Sequence, residues 1–316
     1  MSTRSTDATE DYRALRGSLG AVWVPRDFVR VAGPDAVAFL QGQLSQDVVA
    51  VQVGASAMSL LLQPQGKVDA LVRLTRTGED ELVLDVQGGW GEAVAARLRR
   101  FKIRVKATLD PLPWRCLALR GPALESRRDE VAGGPALAVP ADWPGVPGVD
   151  LLGPDVEVPA EARLCGMEAL ETVRVEAGVP AMGSELDERT IPAEAGIVEE
   201  TVSLSKGCFT GQELVARIDS RGGNVARRLR GVVVQGDEVP PVGAVLTRPA
   251  DGEEETAREL GRLSSVGRSL VRQAPVALAY VRREIEPPAD VALRWEGQRV
   301  GARVEELPLV GRDSAS

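Results

Sequence analysis

No histidine occurs anywhere in the 316 residues. Ser-His-Asp and Cys-His catalysis are therefore excluded, and a general acid or base must be a carboxylate, a thiol, a lysine or bound substrate. Cysteine is scarce: Cys116, Cys165 and Cys208 are an odd number with no C-x-x-C spacing. That speaks against a disulfide framework and against a self-contained zinc or iron–sulfur site, so no bound metal is expected. Aromatic residues make up only 3% of the chain, which leaves little for stacking nucleic-acid bases. Lysine is confined to positions 67, 102, 106 and 206, so nearly every cation is an arginine. No apolar run approaches the length of a membrane span. The first ten residues are polar and lack the apolar core of a secretory signal. Residues 1–11 and 311–316 read as tails, and the expected location is the cytoplasm.

What is present is an ordinary globular composition, 44% apolar and 27% charged. The length allows two or three domains. A net charge of −8 and a pI near 5.0 argue against a general nucleic-acid binder.

Along the chain, residues 22–31 read as a strand, and Gly33-Pro34 opens a helix that carries Val37, Leu40 and Leu44 on one face. Two strands, 57–62 and 67–76, flank the turn Gln63-Pro64-Gln65-Gly66. Residues 81–86 form a strand, and Gly88-Gly89-Trp90-Gly91 leads into a helix ending near Arg100. This is not a dinucleotide fingerprint, because Val94 stands where the third glycine belongs. Phe101–Lys106 alternates apolar and basic residues, which predicts a strand with Phe101, Ile103 and Val105 inward. With Arg97, Arg99 and Arg100 its outer face makes a basic edge, either a solvated surface or an anion site, for the carboxylates of a ligand or for RNA phosphate.

A strand at 113–119 and a helix at 121–132 follow, then a loop rich in proline and glycine from 133 to 159, holding a short strand near 149–152. A helix over 161–177 is expected to bury Leu164, Met167, Leu170 and Val173 and to stop at Gly178, with Cys165 beside that stripe in the core. Beyond residue 230, six short strands at 231–235, 243–247, 260–266, 275–282, 290–295 and 299–305 suggest a small barrel.

The most informative stretch is residues 205–217. Cys208 stands just ahead of a helix start, where Thr210 and Glu213 have capping-box spacing and Gly211 and Gln212 are the first helical residues. The positive end of the helix dipole and nearby Lys206 would both favour thiolate. The same cysteine also reads as a small buried hydrophobe. Glu213 and Arg217 stand four apart as a helix pair, and Arg217, Arg221, Arg227, Arg228 and Arg230 cluster after it.

The run Lys206-Gly207-Cys208-Phe209-Thr210-Gly211-Gln212-Glu213 resembles the motif of the YgfZ-type folate-binding proteins, relatives of the glycine-cleavage aminomethyltransferase (T-protein). Three further stretches resemble the same family in order: Phe39–Val48; Arg174–Pro180 with Ile191–Gly196; and Gly261–Ser265 with Ala277–Arg282. The resemblance implies an α+β fold of three domains, with two interleaved α+β units and a C-terminal β-barrel. The divisions expected are 12–52 with 150–228, then 53–149, then 229–310.

It further implies tetrahydrofolate or a derivative as ligand, with Glu176 on the pterin. Arg228 approximates, to within one residue, an arginine that meets folate in T-proteins, and Arg217 joins it in the cofactor set. Asp69 lies one residue out of register with the T-protein aspartate and reads equally well as an outward strand carboxylate. Cys208 becomes the functional thiol, supported by Lys206, Gly207, Gly211, Gln212 and Glu213.

The family's role is in maintaining iron–sulfur enzymes, including those that modify tRNA. The partners implied are iron–sulfur enzymes or assembly proteins, without direct nucleic-acid contact, for a monomeric protein. The alternatives are a true aminomethyltransferase that passes a one-carbon unit to tetrahydrofolate, a folate-dependent demethylase or dehydrogenase of the sarcosine-oxidase type (which wants a flavin domain), and an RNA-binding module built on the arginine clusters.

Overall fold

The computed structural model describes residues 7–134, 136–249 and 258–311. The chain begins with α1 (Ala8–Gly17), β1 (Gly20–Val24), β2 (Arg26–Ala32), α2 (Ala36–Gln43), β3 (Ser56–Leu62), β4 (Val68–Gly78), β5 (Glu81–Gln87) and α3 (Gly91–Phe101). It continues through β6 (Thr108–Leu112), β7 (Arg115–Arg120), a 3-10 turn (Pro122–Ser126), α4 (Arg128–Ala132), β8 (Leu137–Pro140), β9 (Gly148–Gly153) and β10 (Arg163–Leu164). Four helices follow: α5 (Met167–Ala177), α6 (Pro192–Ala195), α7 (Val198–Thr201) and α8 (Gln212–Asp219). Six strands close the fold: β11 (Arg227–Val234), β12 (Val245–Thr247), β13 (Gly261–Ser269), β14 (Ala274–Arg282), β15 (Ala289–Trp295) and β16 (Gln298–Glu305).

The strands form two five-stranded sheets, ordered β3-β4-β5-β2-β6 and β10-β1-β7-β9-β8, and a closed barrel β11-β14-β13-β12-β15-β16. The expected α+β architecture with a terminal barrel is present, and all six barrel strands fall where the glycine and proline spacing puts them. The sheets share out the chain differently from the expected cuts at 52/53 and 149/150. The single strand expected over 22–31 is two strands: β1 enters one sheet and β2 the other, with only Pro25 between them. Proline has no N–H for a ladder, so the chain changes sheets there without losing a bond.

Other expectations are corrected. Residues 8–10 are not tail but the first turn of α1, capped by the Asp7 carboxylate, which accepts from Thr9 N at 3.0 Å; residues 1–6 and 312–316 lie outside the described residues. Asp35, not Gly33, precedes α2. Residues 102–107 form a loop rather than a strand: Arg104 has φ +58° and Ile103 is 77% exposed. The basic residues at 102, 104 and 106 supply the alternation, but no neighbouring strand takes up its hydrogen bonds. The predicted helix over 161–177 is β10 followed by α5, so Leu164 and Met167 are exposed while Leu170 and Val173 are buried. Gly178 stops α5 in the left-handed conformation at φ +75°.

Helix α5 is wedged between its own sheet and the barrel; at Gly267 of β13 an added Cβ would lie 2.8 Å from the Thr172 hydroxyl. A buried charge network joins the two sheets. Arg73 of β4 donates to both Asp85 oxygens at 2.9 and 3.1 Å and to Asp150 of β9 at 2.8 Å, and Arg120 of β7 completes Asp150 at 2.8 Å. Burial pushes the Asp150 carboxyl up, but Arg120, Arg73 and Arg26 outweigh it and hold it down at about 2.

Candidate functional site

The β3–β4 hairpin, the segment between α5 and α8, and the barrel meet at an apolar cluster built from Leu60, Leu62 and Val68 of the hairpin, Met182, Ile197 and Phe209, with Tyr280 of the barrel packed against it. Polar contacts fix the segment between α5 and α8 to the hairpin sheet. Val68 N donates to the Thr190 carbonyl at 3.0 Å, and the Gln87 amide both accepts from Met182 N at 3.0 Å and donates to its carbonyl at 2.8 Å.

The cysteine motif crosses this junction and is pinned on both sides of the thiol. Upstream, the Lys206 ammonium donates to the carbonyls of Gln41, Leu44 and Gln46 at 2.6, 2.7 and 2.8 Å. These lie at and just beyond the C-terminal end of α2, where orphan carbonyls favour a cation. Burial lowers the Lys206 pKa to about 8, with Asp47 opposing the shift. Downstream, Gly211 has φ +82°, and a Cβ there would collide with the Gln63 carbonyl oxygen, so both the backbone and the close approach call for glycine. Gly66 of the same turn sits so close to α8 that its Cβ would be 2.6 Å from that of Leu214. Cys208 lies between the two pins and is exposed, whereas Cys116 and Cys165 are buried and burial raises both thiols, Cys165 to about 11.

The expected capping box does not form. The N-cap of α8 is Gly211 and no side chain caps it; instead the Gln212 side chain accepts from Phe209 N at 3.2 Å. The close approach to Gln63 places the left-handed residue at the cap itself, one position beyond Thr210. Lys206 is likewise spent on carbonyls rather than paired with the thiol. Glu213 and Arg217 form no ion pair among the described residues, and both are exposed. Gly207 has open space where a Cβ would stand.

The expected ligand residues do not converge. Glu176 is fully buried at the end of α5: Tyr12 donates to its Oε1 at 2.5 Å, and Arg16 donates to Oε2 through Nε at 2.8 Å and through Nη2. Burial, then Glu176, pushes the Tyr12 phenol up to about 12. Both carboxylate oxygens are thus occupied by residues of α1, a helix whose opening residues read as tail from composition alone. Arg228 donates to the Gly223 carbonyl at 2.7 Å.

Asp69 does lie at the junction, 3.3 Å from Arg97 of α3 and partly exposed. Arg97 stacks over Phe101 at 3.9 Å, and its Nη1 is buried with no hydrogen-bond partner. On the barrel side Arg227, not Arg228, faces the junction: it pairs with Glu194 of α6 at 3.1 Å and lies over the Tyr280 ring at 4.5 Å. Glu194 belongs to the second Glu-Ala-Gly run, Glu194-Ala195-Gly196, and that repetition was the one sequence signal that could have found it. The junction thus sets a buried apolar cluster beside two carboxylate–guanidinium pairs, at Asp69–Arg97 and Glu194–Arg227. Among the described residues no cluster of three or more potential ligands could hold a metal ion, and no helix is long and apolar enough to cross a membrane.

Comparison with known proteins agrees with this architecture. No protein-family model matches the chain. It is similar to an aminomethyltransferase of Thermus thermophilus, at 30% identity over 338 residues covering 96% of this chain and 91% of the relative. An aminomethyltransferase of Rubrobacter xylanophilus is 29% identical with coverage of 90% and 81%, and an uncharacterized protein of Haemophilus influenzae is 28% identical over 62% of this chain and 67% of its own length. In fold, the glycine cleavage system aminomethyltransferase T from Bartonella henselae superposes with a TM-score of 0.82 at 22% identity, covering 96% of this chain and 90% of that one. The chain belongs to the aminomethyltransferase (T-protein) family.

Proposed function

We propose that this protein binds tetrahydrofolate or a derivative at the junction of the hairpin, the α5–α8 segment and the barrel and serves as an accessory in the maintenance of iron–sulfur enzymes, and thereby in tRNA modification, with Cys208 as its working thiol. The observation that carries the reading is the placement of Cys208: an exposed thiol on a segment held at Lys206 and at Gly211, beside the hairpin that bears Asp69. Folate would supply a carrier for one-carbon units. What supports this placement is that the buried apolar cluster of Leu62, Val68 and Phe209 lies beside two ion pairs whose groups give donors and acceptors for the polar edge of a flat heteroaromatic ring. Asp69 and Arg97, whose Nη1 lacks a partner, would hold one edge and Arg227 with Glu194 the other. Glu176 and Arg228 are committed to Arg16, Tyr12 and Gly223 and do not fit that role. Arg217 remains exposed on α8.

A second reading, transfer of a one-carbon unit to tetrahydrofolate, is supported by the aminomethyltransferase relatives. The two separate cleanly. Titration calorimetry should detect tetrahydrofolate binding in the wild type and equally in Cys208→Ser, whereas cells carrying Cys208→Ser should lose activity of their iron–sulfur tRNA-modifying enzymes. Absence of binding by the folded protein defeats both readings. Formation of methylene-tetrahydrofolate from an aminomethyl-lipoyl carrier protein, undiminished in Cys208→Ser, would establish the second.

A further inference from the structure

The loop after α3 is a basic element noted in the sequence that the proposed site leaves unused. Arg97 and Arg99 pair with Asp69 and Glu92, but Arg100, Lys102, Arg104 and Lys106 make no ion pair among the described residues. Four uncompensated cations thus fall within seven residues of a chain whose net charge is −8. The Asp35 carboxylate accepts from the backbone N–H of Lys106 at 2.7 Å, and Asp35 N donates back to the Lys106 carbonyl at 3.3 Å.

These bonds, with Lys102 N to the Arg99 carbonyl at 3.2 Å and Ile103 N to the Phe101 carbonyl at 3.0 Å, hold the loop in one shape. Its apolar side chains reach solvent: Ile103 is 77% exposed, and Phe101, covered on one face by Arg97, is 40% exposed. Its first residues are linked to the cysteine motif through Arg97 and Leu62. Phe101 lies under the Arg97 guanidinium, Arg97 Nη2 reaches the Leu62 carbonyl at 3.5 Å, and Leu62 packs where a Cβ at Gly211 would be 2.9 Å away.

From this we propose that the loop of residues 100–106 docks an acidic protein surface bearing an apolar recess for Ile103, and thereby presents that partner to Cys208. Uncompensated cations attract and orient an acidic partner, while exposed aliphatic and aromatic side chains amid arginine are the composition of protein interfaces. RNA is disfavoured because one face of the Phe101 ring is covered by Arg97 and Ile103 offers nothing to a phosphate or a base. The proposal deepens the Cys208 reading by naming the class of partner, and it rests on that reading only for where the partner is delivered.

The probe is a fluorescently labelled peptide of repeated Glu-Glu-Leu triplets titrated into the full chain. Binding should weaken about tenfold on raising salt from about 20 to about 150 mM. Lys102→Glu with Arg104→Glu should weaken it about tenfold or more, and Ile103→Ser about fivefold with the salt dependence kept. Bound peptide should slow maleimide labelling of Cys208. Peptide affinity unchanged by the charge reversal, tighter binding of polyuridylate lost in the same double variant, or labelling of Cys208 indifferent to peptide would each overturn the proposal. Tetrahydrofolate affinity, measured on the same variants and expected to be unchanged, keeps its failure distinct from failure of the folate reading.

Discussion

The ammonium of Lys206 lies 2.7 Å from the carbonyl oxygen of Leu44, with the Gln41 and Gln46 carbonyls completing the set. It joins two stretches 162 residues apart in sequence and makes the lysine a clamp for the cysteine segment. Lys206→Met removes three charge-assisted bonds and should cost roughly 1–3 kcal/mol, read from the urea midpoint. The same variant should speed reaction of Cys208 with Ellman's reagent, because the released segment opens more often. A stable variant with unchanged thiol reactivity would show the clamp to be irrelevant.

Glu176 should behave as a stability residue. Tyr12→Phe leaves Glu176 Oε1 without its donor and should cost about 1–3 kcal/mol. Glu176→Gln leaves Arg16 without its buried counter-charge and should cost about 3–5 kcal/mol. Tetrahydrofolate affinity of Tyr12→Phe should match the wild type in calorimetry. A loss of affinity exceeding about tenfold in that folded variant would return Glu176 to the ligand site.

The network around Asp150 predicts an acid-sensitive contact between the two sheets. Its carboxyl is depressed to about 2 against an ordinary value near 3.9. A depressed carboxylate stabilises fully above the ordinary value and loses that contribution as pH falls towards the folded one. Wild-type stability attributable to this group should therefore decline between about pH 4 and pH 2. In Asp150→Asn the protein should be less stable at pH 7 by about 3–5 kcal/mol, with a shallower decline in acid, as followed by denaturant midpoints at each pH.

Gly211→Ala places a Cβ in the left-handed region and against the Gln63 carbonyl. The backbone conformation alone should cost about 1–2 kcal/mol, and the clash should loosen the contact between α8 and the hairpin. Hydrogen exchange should report faster opening of residues 212–219 with sheet amides unaffected. At Gly207, where a Cβ meets nothing, Gly207→Ala should change stability by less than about 0.5 kcal/mol.

Local chemistry made much of the scaffold readable in advance. The barrel strands are separated by glycine and proline, α5 ends at a left-handed glycine, and the hairpin turn at Gln63–Gly66 follows from its own residues. Where periodicity had no partner it misled: the alternation at Phe101–Lys106 has no adjacent strand among the described residues, and the apolar stripe enters the core only at Leu170, beyond Leu164 of β10 and Met167 at the start of α5.

The sequence by itself determined the α+β layers, the terminal barrel, and the cysteine that stands ahead of a helix while the chain lacks any histidine. Only the tertiary structure decided what each charge does. Glu176, Lys206, Arg73 and Arg227 find partners on elements far away in the chain, and a charge enclosed by the fold must take whichever opposite group or carbonyl the packing brings to it. Spacing along a strand or helix carries no record of that meeting.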